Sequence, residues 1–193
     1  MLRMLAPPAT IAIPVLETKR LILRGHRLED FGDCAATWAD PVVTRYLGSK
    51  PLTETEAWTR FLRYFGHWQV MGFGYWAVEE KGTGAFVGDI GFADYKRDIQ
   101  PSIKGIPEIG WVLAQAAHGK GYATEAVRAA LAWGDMNFRP ARTVCIVDAE
   151  NLASIRVAEK CGFREYERTT YHGTAVVLFE RAAPAGGERM MSP

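Results

Sequence analysis

Residues 118–126 read His118-Gly119-Lys120-Gly121-Tyr122-Ala123-Thr124-Glu125-Ala126, and they join a strand-like segment over 108–113 to a helix-like segment over 122–137. The two glycines let the backbone pass close to a ligand, because no Cβ stands in the way. The helix that follows has unpaired N–H groups and a partial positive charge at its first turn. Together these features predict a cradle for a phosphate or pyrophosphate.

Two common phosphate-binding motifs do not fit this run. A P-loop requires G-x-x-x-x-G-K-[ST], but Lys120 lies between the two glycines. A dinucleotide fingerprint requires a third glycine where the chain has Thr124. The sequence therefore predicts a phosphate-bearing ligand of another class.

A second motif follows about thirty residues later, at 151–163, and reads N-L-A-S-I-R-V-A-E-K-C-G-F. Asn151 is a favourable helix N-cap, and Gly162 suits the left-handed position just past a helix end. Phe163 then begins a new strand. The local pattern predicts a capped helix that packs beside the phosphate cradle.

These motifs resemble those of the GNAT acyltransferase superfamily. The run G-x-G-Y-A-T-E-A resembles its coenzyme A loop, and residues 151–163 resemble its second signature, N-x-x-S-x-x-x-x-E-K-x-G-F. Residues 17–24, E-T-K-R-L-I-L-R, resemble the opening strand of the Rim-type N-acetyltransferases, which modify the N-termini of ribosomal proteins. The three motifs cover most of residues 17–180.

The chain departs from the family pattern at two positions. The loop pattern begins with Gln or Arg where this chain has Ala116, and Gln115 comes one residue too early. Many relatives carry a general-acid Tyr in the second motif where this chain has Ala158. These departures keep open a second reading, a catalytically idle GNAT-like module that binds or senses acyl-CoA.

Composition agrees with one globular domain and excludes several other classes. The chain has 193 residues and a net charge of +1, which gives no reason to expect a nucleic-acid surface. Three cysteines without a C-x-x-C pair and four histidines without ligand spacing predict neither a disulfide framework nor a metal site. No apolar run reaches membrane-spanning length. We expect reduced thiols and a cytoplasmic protein, with a loose arm at 1–16, one domain at 17–181 and a disordered tail at 182–193.

Periodicity and turn residues predict a mixed α/β (α+β) fold. A strand at 20–24, helices at 28–38 and 42–47, and a helix from Thr53 to about Gln69 precede a hairpin around Gly82-Thr83-Gly84. Thr53 and Glu56 predict a capping box. The aromatic side of that helix, Trp58 to Trp68, is expected to pack in the core. With the resemblance, the pattern predicts a mostly antiparallel central sheet with helices on both faces.

The resemblance also implies where acetyl-CoA, as co-substrate, would bind. The strand 108–113 would pair with the pantetheine arm, and the loop would hold the pyrophosphate through its N–H groups. The residues expected to contact acetyl-CoA are Trp111, Val112, Leu113, His118, Gly119, Lys120, Gly121, Tyr122, Ala123, Thr124 and Asn151. No metal is expected.

Acyl transfer to an amine requires a proton acceptor and stabilisation of the leaving thiolate. Glu108, at the start of the strand before the loop, is the first candidate for the base, and Asp89, inside an apolar strand, is the alternate. The resemblance to the Rim-type branch implies that the Ser154 hydroxyl hydrogen-bonds the sulfur, and a hydroxyl of ordinary pKa would stabilise the thiolate rather than protonate it. Tyr166 and Tyr171 follow the second motif without a spacing argument.

The sequence thus predicts an acetyl-CoA-dependent N-acetyltransferase in which an amine attacks directly within a ternary complex. A protein N-terminus, a lysine and a small amine such as a polyamine or antibiotic all remain open as acceptors. The segments 26–52 and 94–107 are neither strongly acidic nor strongly basic, so their charge does not choose between them. A homodimer is compatible with the sequence, and no nucleic-acid or membrane partner is expected.

Overall fold

The computed structural model describes residues 11–47, 50–138 and 142–182. In these residues one sheet has eight strands: Leu16–Glu17 (β1), Leu21–Arg24 (β2), Tyr75–Glu80 (β3), Phe86–Ala93 (β4), Glu108–Leu113 (β5), Thr143–Asp148 (β6), Arg164–Tyr171 (β7) and Thr174–Arg181 (β8). Their order across the sheet is β1-β2-β3-β4-β5-β6-β8-β7. Neighbouring strands are antiparallel except β5 and β6, which are parallel. The predicted mixed, mostly antiparallel fold is confirmed.

The helices are Phe31–Ala39 (α1), Pro41–Thr44 (α2), Glu54–Met71 (α3), Tyr122–Asn137 (α4) and Leu152–Lys160 (α5), with short 3₁₀ turns at Leu28–Asp30 and Gln115–Ala117. Within the described part of the chain, none of them is long and apolar enough to cross a membrane. The element from 42 to 47 is shorter than predicted, because the helix that Asp40 caps through the N–H of Val42 lasts one turn.

Strand β5 shows how the sheet is covered on both faces. Ile109 and Leu113 belong to the main apolar core, together with Ala126 of α4. Val112 belongs to a second cluster, with Cys34 of α1 and Phe61 of α3. Because successive side chains of a strand point to opposite faces, the helices α1 and α3 cover one face and α4 covers the other.

Helix α3 begins and ends as its sequence indicates. Thr53 and Glu56 form the predicted capping box, and Gly72 ends the helix in the left-handed region at φ 72°. Its aromatic side packs in the core only in part. Phe61 and Trp68 are buried, but Trp58, Leu62 and Phe65 are exposed. One edge of the helix is therefore available to line a surface other than the core.

Strands β5 and β6 separate almost as soon as they meet. Their ladder contains a single registered pair, Glu108 with Val144. Beyond that pair, β5 remains bonded to β4 along residues 108–113, and β6 remains bonded to β8 along residues 143–148. The sheet thus opens into a wedge, and within the described residues one backbone edge of β5 has no strand paired with it beyond Glu108.

The turn between β1 and β2 is fixed to the first turn of α4. The Thr18 hydroxyl donates to Oε1 of Glu125 at 2.6 Å, and Nε of Arg20 donates to Oε2 at 2.7 Å. Nη1 of Arg20 also donates to the Lys120 carbonyl at 2.8 Å. Burial acts to raise the pKa of Glu125, but the donors from Thr18 and Arg20 outweigh it, and the pKa lies below its ordinary value. The N-terminal motif therefore holds the glycine loop in place.

The predicted domain limits are only partly within the described residues. Residues 1–10 of the expected arm and 183–193 of the expected tail lie outside them. Ile13 packs against the main core, and the Trp76 indole N–H donates to the Pro14 carbonyl at 2.8 Å. The boundaries at 16 and 182 stay predictions.

The clamp around Glu125 predicts a pH-dependent loss of stability in Glu125→Gln. A carboxylate whose pKa is lower in the folded state contributes stability that is present above its unfolded pKa and is lost as the pH falls. Because Arg20 is partly exposed, we expect a cost of about 1 kcal/mol at neutral pH. The difference in Tm between wild type and variant should close below about pH 4. Glu165→Gln, which breaks an exposed pair with Arg168, is the matched control and should cost less; equal losses would show that the clamp adds nothing.

Candidate functional site

The wedge between β5 and β6 contains two cavities that share part of their lining. The inner cavity, about 340 Å³, lies beside the paired end of the strands and is lined by both β5 and β6. The outer cavity, about 530 Å³, extends along the end of β5 to the glycine loop and the start of α4 and α5. Trp111, Val112, Asn151 and Ser154 line both cavities. The two spaces therefore adjoin along these residues, and together they are called the groove, which extends from the glycine loop into the molecule.

The outer cavity is built to receive an anion. Gly119 and Gly121 lie in the left-handed region, at φ 75° and 77°. Gly121 is the N-cap of the sixteen-residue helix α4 and no side chain caps that end, so the N–H groups of the first turn remain available. The charged lining residues, Arg45, Arg156 and Lys160, are all basic. In the described chain, this lining contains no Asp or Glu. These donors and charges suit a pyrophosphate.

The structure places almost all of the residues expected to contact acetyl-CoA on the outer cavity. These are Trp111, Val112, Leu113, His118, Gly119, Gly121, Tyr122, Ala123, Thr124 and Asn151. Lys120 does not line it. Its ammonium group lies 5.8 Å from the centre of the Tyr122 ring, and its carbonyl accepts from Arg20. Lys120 thus contributes to the loop's anchorage.

His118 closes the loop onto β5. Its Nε2–H donates to the Leu113 carbonyl at 3.0 Å, because a carbonyl can only accept. The side chain remains at the rim of the outer cavity. This contact fixes the distance between the strand edge and the glycine loop.

Asn151, Ser154 and Trp111 connect the two walls of the groove. The Asn151 side chain accepts from the Ser154 backbone N–H at 3.0 Å, so the predicted N-cap is confirmed. The Trp111 indole N–H donates to the Ser154 hydroxyl oxygen at 3.3 Å. The Ser154 side chain is therefore not the helix cap, and its own O–H proton can be donated into the groove.

Glu108 lies in the inner cavity and is 5 % exposed. Both of its carboxylate oxygens accept from Arg97, at 2.7 Å each. Arg97 lies in the loop before β5, and its guanidinium also packs over the rings of Tyr95 and Tyr171. A carboxylate has about four lone-pair sites, so Glu108 keeps accepting capacity toward the cavity while the ion pair fixes its position.

Asp89 lies elsewhere. It is fully buried, accepts from Nε2 of His26 at 2.8 Å and from the Tyr64 hydroxyl at 3.2 Å, and contacts the Cys34 thiol at 3.4 Å. It is absent from the described lining of either cavity. Its geometry therefore supports a role in joining β4 to α1 and α3, and gives no support to the alternate base.

The two tyrosines that follow the second motif differ in position. Tyr171 lines the inner cavity, whereas Tyr166 does not. The Tyr166 hydroxyl is buried without a partner in the described structure, and burial raises its pKa. Ala158, at the position of the family's usual tyrosine, is completely buried in the core.

Sequence reasoning missed several residues of the inner cavity. They are Trp38 of α1, Arg60 and Arg63 of α3, and Tyr95 and Arg97 of the loop before β5. Burial raises the pKa of Tyr95, which keeps its hydroxyl protonated. The two arginines of α3 are three residues apart and flank its aromatic side, a spacing that could have pointed to one exposed edge. Among the described residues, no cluster of His, Cys, Asp and Glu has metal-binding geometry.

The family model described as an acetyltransferase (GNAT) domain matches residues 20–164. An uncharacterized Bacillus subtilis protein, YkkB, is 32% identical over 143 residues, which cover 74% of this chain and 80% of that protein. A GNAT-family acetyltransferase structure from Bordetella pertussis superposes with a TM-score of 0.77 at 33% identity and covers 88% of this chain and 99% of its own.

A more distant structure, RimL, the ribosomal L7/L12 α-N-protein acetyltransferase in complex with coenzyme A, gives a TM-score of 0.70 at 14% identity. It covers 90% of this chain and 100% of its own, and at this identity the likeness shows the fold alone. The family match spans most of the chain, and the groove fits the ligand that the family uses. The chain therefore belongs to the GNAT family of acetyltransferases, and its reaction is acetyl transfer from acetyl-CoA.

Proposed function

We propose that this protein acetylates a primary amine, which attacks acetyl-CoA directly in a ternary complex. The observation that carries the proposal is the groove, whose two adjoining cavities share part of their lining. It joins an amide cradle, an unpaired strand edge and an inner cavity with ionisable side chains. Both substrates can be held there at once, and alignment of two reactants is a large part of such an acceleration.

The outer cavity supports the binding of acetyl-CoA. The pyrophosphate would lie on the N–H groups at the start of α4, with Arg156 and Lys160 nearby. The pantetheine arm would lie along β5 at Trp111 to Leu113, where the strand edge facing β6 lacks a partner. The acetyl group would then point toward the inner cavity, and an N–H of β5 would polarise its carbonyl.

Two residues of the groove are candidates for proton transfer and for stabilisation of the leaving sulfur. Glu108 would accept the amine proton, directly or through water. The Ser154 hydroxyl would donate to the leaving sulfur, since Trp111 already occupies a lone pair of its oxygen. Glu108 and Ser154 both line the inner cavity, so both can act on one reaction centre.

Direct attack is favoured over an acyl-enzyme by the state of the cysteines. Cys34, Cys145 and Cys161 are all buried. Burial raises the pKa of each of these thiols above its ordinary value. Because the thiolate is the nucleophile, these side chains are poorly suited to accept the acetyl group.

Within the family, we place the chain near the Rim-type branch. Support comes from the motif at 17–24 and from its contact with the glycine loop through Arg20 and Glu125.

The competing reading, an idle module that binds acyl-CoA, is favoured by Ala116 and by the buried Ala158. Thiol release from acetyl-CoA across a panel of peptide and small amines tests the two. Turnover of any amine would discard the idle module, whereas binding of acetyl-CoA without turnover of any amine in the panel would support it.

The cradle predicts that Gly121→Val abolishes stabilisation by acetyl-CoA. A ligand that binds only the folded state raises Tm, and valine at a φ of 77° would strain the loop that presents its N–H groups to the phosphates. The measurement is the thermal shift with increasing acetyl-CoA. Gly173→Val is the matched control, because Gly173 has a similar φ of 81° in the turn between β7 and β8 and suffers the same backbone strain. An unchanged shift in Gly121→Val would mean that the site is misplaced.

The capping geometry predicts that Ser154→Ala reduces turnover more than stability. The helix keeps its cap on Asn151, so Tm should change little, while kcat should fall roughly tenfold for the loss of one hydrogen bond at the sulfur. Thr53→Ala, which removes the cap of α3 outside the groove, should show the opposite pattern, with about 1 kcal/mol less stability and full turnover. A stable variant with undiminished kcat would remove Ser154 from the mechanism.

The proposed base predicts that Glu108→Gln lowers kcat near neutral pH by roughly 10²–10⁴-fold. The loss should shrink at high pH, where the amine is already neutral, and acetyl-CoA affinity should hardly change. Loss of binding to a cationic acceptor would instead appear as a higher acceptor KM.

Because Glu108→Gln also breaks a bidentate pair with Arg97, Asp135→Asn is the matched control. Asp135 forms the corresponding pair with Arg181 outside the groove, at 2.7 and 2.8 Å. The Asp135→Asn variant should be less stable than the wild type, and the pH profile of its turnover should be unchanged. Full neutral-pH turnover in Glu108→Gln would leave Glu108 as the partner of Arg97 only.

A further inference from the structure

Two side chains that line the inner cavity have buried hydrogen-bond donors without a partner in the described structure. Trp38 is 4 % exposed, and its Nε1 is buried without a partner. Nε of Arg60 is also buried without a partner, and Arg60 and Trp38 both line the inner cavity. The guanidinium carbon of Arg60 lies 3.7 Å from the centre of the Trp38 ring. Two neighbouring side chains thus hold unpaired buried donors.

Both groups can donate but cannot accept. A buried donor left unpaired costs free energy, so the partner that would satisfy both must be an acceptor, and Arg60 favours one with negative charge. A carboxylate meets these requirements, because a guanidinium and a carboxylate form charge-assisted hydrogen bonds.

The charges of the inner cavity also favour a carboxylate as the ligand. Its lining includes Arg60, Arg63 and Arg97, with Glu108 and Asp148 as the carboxylates. Arg97 is neutralised by Glu108, whereas Arg60 and Arg63 have no carboxylate within 4.0 Å in the described residues. The cavity therefore has an excess of positive charge on its α3 side.

Three aromatic rings of the cavity, those of Trp38, Tyr95 and Tyr171, are already covered by arginines. Arg60 covers Trp38, Arg97 covers Tyr95 and Tyr171, and Arg63 lies 5.9 Å from the Tyr95 ring. Aromatic faces are the surfaces on which a cationic ligand is commonly held. A polyamine would meet guanidinium groups there instead.

We propose that the acceptor is a small amine that also carries a carboxylate, an amino-acid-like molecule, and that Arg60 and Trp38 bind the carboxylate with Arg63 at the rim. The inference rests on the proposed function and names its substrate class. A cavity of about 340 Å³ lies at the small end of ligand pockets, which suits such a molecule. The amine would face Glu108 and β5 while its carboxylate faces α3.

The test compares matched acceptors at saturating acetyl-CoA in the thiol-release assay. Each amino acid is paired with the amine that lacks its carboxylate. Spermidine serves as a cationic acceptor for comparison, and peptides with an acidic second residue represent macromolecular acceptors. Each kcat/KM value is divided by the fraction of the acceptor that is present as neutral amine. Differences in amine pKa then do not affect the comparison. We expect the carboxylated member of at least one pair to be favoured roughly tenfold or more, as for one charge-assisted hydrogen bond.

Arg60→Gln should reduce that preference chiefly through a higher acceptor KM, and Trp38→Phe should reduce it less, since it removes one N–H and keeps the ring. Arg164→Gln, an exposed arginine of β7 outside the groove, should leave it unchanged. A preference for spermidine, for the carboxylate-free amines or for the acidic peptides would overturn the proposal, as would a preference that Arg60→Gln does not alter.

A binding measurement separates this inference from the proposed function. Thermal shifts are recorded with coenzyme A plus an N-acetyl amino acid, and with coenzyme A plus the corresponding N-acetyl amine. If no amine is turned over, a larger shift with the acid that is lost in Arg60→Gln would support the anion site while the transfer reaction fails. Equal shifts with acid and amine would overturn the anion site whatever the turnover.

Discussion

Strands β5 and β6 pair at one position, Glu108 with Val144, and the candidate site depends on their separation beyond it. Each strand is fully paired on its other edge, β5 with β4 and β6 with β8. Both keep a regular extended backbone as they diverge, so the wedge is a fixed feature of the sheet. The same divergence supplies the unpaired edge of β5, the inner cavity between the strands, and the route from β5 through the glycine loop into α4. A regular parallel ladder at this place would close the groove.

The glycine loop needs support from a distant segment. Gly119 and Gly121 both adopt left-handed conformations, and such a loop has much freedom to lose on folding. Glu125, one turn into α4, is held by Thr18 and Arg20, and Arg20 also bonds the loop carbonyl at Lys120. His118 fixes the other end of the loop to β5. The motif at 17–24 and the motif at 118–126 are thus two parts of one structural unit, although about a hundred residues separate them.

Signals that act within a few residues were predictable from the sequence. The caps at Thr53 and Asn151, the left-handed Gly162 and the strand–loop–helix order all follow from local chemistry and are confirmed. The contacts that define the inner cavity were not predictable in this way. Arg60 and Trp38 meet there only because α1 and α3 pack on one face of the sheet, and the periodicity of α3 identified its buried side without showing what its edge would face. The pairing of Arg97 with Glu108 depends on how the loop 94–107 returns to β5, which spacing alone does not specify.

The interior position of Asp89 suggested a special role, and the structure assigns its hydrogen bonds to His26 and Tyr64.

The distribution of charge connects substrate binding with the chemistry. The outer cavity is cationic and suits the phosphates of acetyl-CoA, whereas the inner cavity combines one neutralised arginine with two that lack a carboxylate partner. In the proposed complex these guanidinium groups disfavour the protonated form of a nearby amine, because like charges lower its pKa. The acceptor would therefore be held by its carboxylate while its amine is made easier to deprotonate. Glu108 acts against this effect only weakly, since Arg97 already compensates its charge. An acceptor without a carboxylate would meet the same repulsion and have no compensating contact, so the groove would select its acceptor through the same positive charge that prepares the amine for attack.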